Sequence, residues 1–170
     1  KELPFMSLKS LDIGGVNANL FRISFSGELS YELAVPADVG LEIWEELSKK
    51  GKVLNLMPYG TEALHVMRAE KGFIMIGDET DGTVTPQDLN LGWAISKKKK
   101  DYLGKRAHER PFFRNSNRRK LVGLLTENPE LVLPDGAQII ASADGSETYK
   151  PIGHVTSTYF SPSLGYSIAM

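Results

Sequence analysis

The first residue that could do chemistry is a carboxylate on a short alternating segment. Glu32 follows Tyr31, and the apolar residues Leu33 and Val35 come after it. A period of two places Glu32 on the face opposite these neighbours. If that face lines a cavity, the two carboxylate oxygens can accept parallel hydrogen bonds from the amidine-like edge of an aminopyrimidine ring. The alternation alone favours the simpler alternative that Glu32 is an exposed strand residue.

Trp93 is the second candidate, because an indole can stack on a flat ring. It lies in a stretch where apolar residues recur, with Leu89, Leu91 and Ile95 around it. That spacing favours the alternative that Trp93 belongs to the hydrophobic core. The sequence leaves both roles open.

An acidic segment and three histidines are the possible metal ligands. Asp78, Glu79 and Asp81 form a polar loop, but the spacing lacks the closing glutamate of a calcium-binding EF-hand. We interpret this loop as a solvated turn. The histidines are far apart in the sequence: His65, His108 and His154. We expect no metal site.

Composition excludes several classes of protein. The chain has 170 residues, with 20 Lys and Arg against 21 Asp and Glu, so no basic excess supports charge-driven nucleic-acid binding. The absence of cysteine excludes disulfide scaffolds and thiolate metal sites and fits a reducing compartment, so we expect a cytoplasmic protein. No stretch approaches the roughly 20 apolar residues of a membrane span. Motifs of serine hydrolases, P-loop proteins, zinc proteases and dinucleotide-binding folds are also missing.

Residues 97–120, here called the basic sector, differ in character from the rest of the chain. Their positive residues are Lys97–Lys100, Lys105, Arg106, Arg110, Arg114 and Arg118–Lys120. Aromatic side chains in the same segment would permit nucleic-acid bases to stack. The near-neutral chain favours instead a solvated linker or a surface that docks on an acidic partner chain. We predict a domain boundary near residue 114.

Residues 1–113 are predicted to form an α+β domain with an antiparallel sheet. A turn at Gly14-Gly15 precedes alternating strands at 20–26 and 31–35, which a short turn at Ser26–Glu28 joins into a hairpin. A further short strand is predicted at Phe73–Ile76. Because the strands alternate, helices must cover one face of the sheet.

Helices are predicted over 38–50 and 60–70. Asp38 would cap the first helix and Gly51 would stop it. Its apolar face is Val39, Ile43, Trp44 and Leu47, and the buried stripe of the second helix is Ala63, Leu64, Val66 and Met67. A third, short helix would begin at Thr85.

Residues 114–170 are predicted to form a small, partly truncated β-barrel. Short apolar segments at 121–125, 138–140 and 152–158 are separated by turns, among them Pro134–Gly136 and Ala143–Gly145. The chain begins at Lys1 rather than Met and stops within the apolar run Tyr166–Met170. We therefore expect an excised part of a longer polypeptide.

The order of these signals resembles the aminomethyltransferase (glycine-cleavage T-protein) superfamily. The segment Arg22–Leu33 is similar to its R-x-[ST]-[YF]-[ST]-G-E-x-[GS]-[YF]-E-[IL] signature. Further matches in family order are Gly60–Gly72, Gly77-Asp78, Thr85-Pro86, Leu91–Trp93, Asp101–Lys105, Gly153–Ser157 and Ser161–Gly165. Within the superfamily, Pro58–Lys100 is most similar to the alpha subunits of heterotetrameric sarcosine oxidases.

The resemblance implies a tetrahydrofolate site. Glu32 matches the family glutamate that holds the pterin edge, Phe25 stands where many relatives carry a ring-stacking tyrosine, and Trp93 matches a tryptophan near the folate. Leu64 stands where the T-protein has a folate-binding arginine, and Arg68 follows one turn later. The resemblance places the catalytic acidic residue outside this chain, so we expect the chain alone to be inactive.

The resemblance also implies an oxidoreductase that demethylates sarcosine to glycine and transfers the one-carbon unit to tetrahydrofolate. FAD, FMN and NAD would bind elsewhere in the complex, and the other sarcosine oxidase subunits would be the partners. Two alternatives stay open. One is a non-catalytic scaffold that docks other subunits through the basic sector, and the other is a T-protein relative acting on another methylated amine, such as dimethylglycine. We expect neither nucleic acid nor a membrane as a partner.

Overall fold

Helices and antiparallel sheets make up the protein, which confirms the predicted α+β class. A computed structural model describes residues 3–141 and 149–170. The chain divides into two compact units, Lys1–Lys71 and Gly72–Met170, and each is described by itself. The boundary expected near residue 114 stays a prediction.

The first unit contains a three-stranded antiparallel sheet. Its strands are β1 (Leu8–Ile13), β2 (Val16–Phe21) and β3 (Glu32–Ala34), in that order across the sheet. The turn predicted between β1 and β2 is confirmed, because Ile13 pairs with Val16 across Gly14 and Gly15. Both glycines have positive φ (63° and 91°), which a two-residue hairpin turn requires and which glycine adopts without strain.

The loop between β2 and β3 is longer than the sequence predicts. Phe21 pairs with Glu32, so residues 22–31 lie outside the strands and the short turn expected at Ser26–Glu28 is wrong. The backbone of Arg22 bonds the segment before β1, accepting from the Met6 amide and donating to the Ser7 carbonyl (2.9 Å each). The alternating sequence pattern therefore extends past Phe21, the last residue of β2 that pairs with β3, and for this reason the predicted strand was too long.

Helix α1 (Gly40–Gly51) follows a 3₁₀ helix over Ala37–Val39. Asp38 lies within that 3₁₀ helix and no side-chain hydrogen bond caps either segment, so the predicted cap is wrong. Only Ile43 of the predicted apolar face is buried, whereas Trp44 and Leu47 are exposed.

The chain reverses after α1 at Asn55 rather than at Gly51. A second 3₁₀ helix, Lys52–Leu54, continues the right-handed turn, and Asn55 takes the left-handed conformation (φ 57°). The Leu56 amide donates to the Gly51 carbonyl (3.0 Å), and the Asn55 amide donates to the Lys52 carbonyl (3.1 Å). This pair of bonds is a Schellman motif, so Gly51 is needed for its small size rather than for its backbone freedom.

Gly51→Ala is expected to destabilise the protein by about 1–2 kcal/mol, although alanine is the better helix former. A Cβ at position 51 would lie 2.5 Å from Cδ2 and 2.6 Å from Cβ of Leu56. A Leu56 rotamer change moves Cδ2 but not Cβ, so the overlap persists. Urea unfolding measures the change. Gly40→Ala is the control, because nothing lies within 4 Å of its added methyl group. Equal stability of the two variants would contradict this prediction.

Helix α2 (Thr61–Glu70) confirms the second predicted helix. Its buried face differs from the expected stripe, because Ala63 is exposed and Leu64, Val66 and Met67 are only half-buried. The one fully buried residue of α2 is Arg68, with 0% exposure. Hydrophobic spacing cannot anticipate a buried guanidinium, which needs polar partners from elsewhere in the fold.

The second unit begins with turns rather than regular elements. The strand expected at Phe73–Ile76 is absent from the described residues, where Ile76 makes only an isolated bridge to Thr80. The helix expected at Thr85 is also replaced by turns over residues 86–90. Asn90 has a left-handed φ of 61°, which ends the helical path after one turn.

Short helices interrupt the basic sector. After a 3₁₀ helix at Gly92–Ala94 come α3 (Lys105–His108) and α4 (Pro111–Arg114). Pro111 suits the first turn of α4, where its missing amide hydrogen costs no bond. The basic sector therefore contains two short helices, and the alternatives of a solvated linker and a docking surface stay predictions.

Five strands follow in two antiparallel sheets. They are β4 (Leu124–Leu125), β5 (Gln138–Ile140), β6 (Pro151–His154), β7 (Thr158–Ser161) and β8 (Tyr166–Ala169). One sheet has the order β4-β8-β7 and the other pairs β5 with β6. The described residues form a small barrel-like region but no closed barrel.

The strand predicted over 152–158 is split into β6 and β7. The Val155 amide donates to the Ala137 carbonyl (2.9 Å), and the next amide, that of Thr156, donates to the Met170 carbonyl (2.8 Å). The chain therefore exchanges one pairing partner for another at this point. The turn expected at Ala143–Gly145 lies outside the described residues.

Candidate functional site

Glu32 is the first residue of β3, and its side chain is exposed. Leu33 beside it is half-buried and Ala34 is exposed, so the predicted alternation is confirmed. Across the described ranges, no hydrogen bond or ion pair engages the Glu32 carboxylate. Both oxygens are therefore available to accept hydrogen bonds from a ligand.

Arg22 holds the backbone that leads into Glu32. Its Nη1 donates to the Ser30 carbonyl (3.1 Å), and its guanidinium lies 5.1 Å from the ring centre of Tyr31 and 5.8 Å from that of Phe5. A cation between two aromatic rings is attracted to both. Sequence analysis included Arg22 only as part of a motif, because alternation cannot show that the long loop closes on this side chain.

Phe25 lies in the 22–31 loop and is 36% exposed. The next residue, Ser26, is buried, and Glu28 forms an ion pair with Lys71 (3.0 Å). Gly27 has a φ of 78°, and any side chain there would collide with Lys71. The loop is thus fixed on both sides of Phe25, whose ring keeps an accessible face.

Trp93 is 79% exposed and lies in the 3₁₀ helix at Gly92–Ala94. The core position that periodicity favoured is therefore wrong. An exposed indole face is available for stacking, as the family resemblance implies. Leu64, at the expected arginine position, is half-buried on α2, and fully buried Arg68 is not presented to a ligand.

The acidic loop contains a buried carboxylate that sequence analysis took for a solvated one. Glu79 is 5% exposed, whereas Asp78 and Asp81 are exposed. Its oxygens accept from the Met75 amide (2.8 Å), the Thr156 hydroxyl (2.9 Å) and the Ser157 hydroxyl. Two of these donors lie 77 and 78 residues away in sequence, so local spacing gave no signal.

No group of three or more potential metal ligands occurs within residues 3–141 and 149–170. Asp81 instead accepts from the amide and the hydroxyl of Thr83 (2.7 Å each). The Thr83 hydroxyl and amide lower the pKa of Asp81 below its ordinary value. His108 contacts the Tyr102 hydroxyl through Nδ1 (3.2 Å).

A partly buried ion pair connects Asp88 to the basic sector. Arg118 donates to Asp88 through Nη2 (2.5 Å) and Nε (3.0 Å), and its Nη2 also donates to the Thr83 carbonyl (2.7 Å). Asp88 further accepts from the amide (2.9 Å) and the hydroxyl (2.8 Å) of Thr85. We call this arrangement the Asp88–Arg118 clamp.

The clamp is also supported by aromatic rings and by charge. The Arg118 guanidinium lies 4.7 Å from the ring centre of Phe112 and 5.0 Å from that of Phe113. Its hydrogen bonds to Asp88, with smaller contributions from Thr85, outweigh burial and lower the pKa of Asp88 to about 2. Arg118 is thus a structural residue of the basic sector and not a docking cation.

A cavity of about 340 Å³ lies beside the clamp. It is lined by Thr85, Gln87, His108, Glu109, Phe113 and Arg114. Trp93 is not among these residues. The assignment of Glu32, Phe25 and Trp93 to one ligand site therefore stays a prediction. No helix in the part of the chain that the structure describes is long and apolar enough to cross a membrane.

Two protein families match this chain. The GCVT N-terminal domain matches residues 1–99, and the glycine cleavage T-protein C-terminal barrel domain matches residues 119–170. The predicted boundary near residue 114 falls between the two matched ranges.

Curated relatives extend over nearly the whole chain. It is 46% identical over 98% of its length to the sarcosine oxidase subunit alpha of Corynebacterium sp. (strain P-1), and 40% identical over 98% to that of Rhizobium meliloti. An aminomethyltransferase of Halothermothrix orenii is 32% identical over 99% of the chain. The chain spans 17% of each of these two alpha subunits and 45% of the aminomethyltransferase.

Proposed function

Because the chain belongs to the glycine cleavage T-protein family, we propose that it forms the tetrahydrofolate-binding part of a sarcosine oxidase alpha subunit. The observation that supports this most is the exposed Glu32 carboxylate, which no other described residue engages, and Arg22 bonds the backbone two residues before it. Similarity to two sarcosine oxidase alpha subunits at 40% and 46% identity supports the choice of enzyme.

In this proposal, Glu32 orients the ligand. Its two oxygens accept hydrogen bonds from the amino and ring N–H groups of the pterin, a charged bidentate contact that fixes the plane of the ring. Phe25 and Trp93 supply apolar faces for that plane. Phe25 lacks the hydroxyl of a tyrosine, so it can stack on the ring but cannot donate a hydrogen bond.

The chemistry of the complete enzyme needs groups beyond this chain. Sarcosine would lose two electrons and become an imine at a flavin on another subunit, with FAD, FMN and NAD bound elsewhere in the complex. When bound, tetrahydrofolate supplies the nucleophilic nitrogen that takes the methyl-derived carbon of the imine, so that glycine leaves. The residues of this chain hold the pterin close to the imine, so the two reactants do not have to meet by diffusion.

Glu32→Ala is expected to weaken tetrahydrofolate binding by about 2 kcal/mol, or roughly thirtyfold in Kd. The reason is the loss of a charged bidentate contact. Titration calorimetry on the complete protein measures the change. Glu42→Ala, which removes an exposed carboxylate from α1, is the matched control and should leave the Kd unaltered. An unchanged affinity in Glu32→Ala would remove this residue from the site.

A non-catalytic docking role is the second candidate. The exposed cations of the basic sector favour it: Lys97–Lys100, Arg106, Arg110, Arg114, Arg119 and Lys120. Such a surface would bind an acidic face of another oxidase subunit, and salt would weaken the contact. Binding of tetrahydrofolate that depends on Glu32 would favour the first function over this one.

A further inference from the structure

Trp93 depends on its backbone for its position. An indole that is 79% exposed has few packing neighbours, so the turn that carries it determines where the ring lies. That turn is closed by two backbone bonds, from the Leu91 amide to the Pro86 carbonyl (2.7 Å) and from the Ala94 amide to the Leu91 carbonyl (2.9 Å). These two bonds connect residues 86–94 into one piece of backbone.

The same piece is anchored to a segment about thirty residues downstream. The Leu121 amide donates to the Asp88 carbonyl (2.7 Å), and the Asn90 side-chain amide donates to the Leu121 carbonyl (2.9 Å). The Arg118 guanidinium holds the Asp88 carboxylate in the clamp described above. Asn90 has a φ of 61°, a left-handed conformation that asparagine adopts more readily than most other non-glycine residues.

We propose that Asp88, Asn90 and Arg118 are positioning residues that hold Trp93 ready for the ligand ring. The inference rests on the proposed function, since it takes Trp93 to be a wall of the tetrahydrofolate site. A wall that is already ordered loses little conformational freedom when the ligand binds, so affinity rises without any new contact. Arg118 is suited to this task because its planar fork fixes both the distance and the direction of the carboxylate.

The first test needs no ligand. The complete protein is labelled with 5-fluorotryptophan, and the Trp93 fluorine resonance is identified by its absence in Trp93→Phe. Arg118→Gln and Asn90→Gly are expected to shift or broaden this resonance. Asn90→Gly is the milder variant, because glycine accepts the positive φ and only the bond to Leu121 is lost. Arg110→Gln, which removes an exposed cation from the same sector, is the control and should leave the resonance in place.

The second test asks whether the effect on binding passes through Trp93. Trp93→Ala is expected to raise the Kd for tetrahydrofolate about tenfold through lost stacking. Asn90→Gly and Arg118→Gln should each raise it about fivefold when Trp93 is present, and less than about twofold in a Trp93→Ala background. A residue that only stabilises the fold would give the same factor in both backgrounds.

The outcomes separate this inference from the proposed function. An unmoved fluorine resonance in both variants, or equal binding factors in both backgrounds, overturns the positioning role while leaving the folate site intact. If Trp93→Ala leaves the Kd unchanged but the resonance still shifts, the assignment of Trp93 to the folate site is overturned. The link between the clamp and the indole is then upheld.

Discussion

Glu79→Ala is expected to lower the free energy of unfolding by about 4 kcal/mol. The substitution removes the acceptor of one buried donor, the Ser157 hydroxyl, and of two half-buried donors, the Met75 amide and the Thr156 hydroxyl. A buried donor left unsatisfied costs about 1–3 kcal/mol, and a half-buried donor costs less because water can reach it. The change is measured by urea unfolding followed by circular dichroism.

Two further variants show whether the loss comes from this network. Glu79→Gln keeps one acceptor oxygen but introduces an amide donor and removes the charge, so it should fall between Glu79→Ala and the unmodified protein. Glu127→Ala, at an exposed site, should change stability by less than about 0.5 kcal/mol. If Glu79→Ala is as stable as Glu127→Ala, the hydrogen bonds of the Glu79 carboxylate do not contribute to the free energy of unfolding.

Asp88→Ala is expected to cost about 3 kcal/mol, because it leaves the Arg118 guanidinium in a partly buried site without its counter-ion. The pair also predicts a dependence on pH. The pKa of Asp88 is about 2 in the folded protein, below its ordinary value of 3.8. Its stabilisation is therefore fully present above about pH 4 and is lost as the pH falls towards 2.

Urea unfolding midpoints between pH 2 and pH 5 test this dependence. Asp88→Asn should make the acid limb of the stability profile shallower than in the unmodified protein, because the titrating group is gone. Asp135→Asn, at an exposed turn, should keep the original slope. An unaltered acid limb in Asp88→Asn would show that this carboxyl is already protonated or unpaired in the folded chain.

Local patterns predicted the elements that local forces determine. The two glycines between β1 and β2, the period-two segment around Glu32 and the 3.6-residue period of α2 all lead to elements of the structure. Each of these depends on neighbours a few residues apart, which a single sequence displays directly.

The predictions were wrong where a partner distant in the sequence determines the conformation or burial of a residue. Glu79 lies in a segment with the composition of a solvated turn, yet hydroxyls from the other end of its unit surround it. Asp88 has the sequence position of an acid near a helix start, yet it binds Arg118 thirty residues away and the helix does not form. A charged side chain can be buried only where the fold brings polar partners to it. The periodicity of hydrophobic residues in the sequence contains no information about such distant contacts.

In the candidate site, too, local contacts were predicted correctly and distant contacts were missed. Alternation indicated that Glu32 points away from its apolar neighbours, and the structure agrees. The exposure of Trp93 was missed because the segment coils into a 3₁₀ helix, where alternate residues no longer share a face. Arg22 was missed because its partners come from two separate segments: Ser30 and Tyr31 from the far end of a ten-residue loop, and Phe5 from the segment before β1.

The position of β8 between β4 and β7 affects how the second unit can be made. Leu124 and Leu125 are translated about forty residues before Ala169 and Ile168, with which they pair. During synthesis β4 emerges before its partner β8 and stays unpaired until the intervening residues have left the ribosome. Loop closure over such a distance is slow compared with hairpin formation. The β7–β8 hairpin would therefore assemble first and then bind β4, so the nascent chain is most prone to aggregation shortly before β8 emerges.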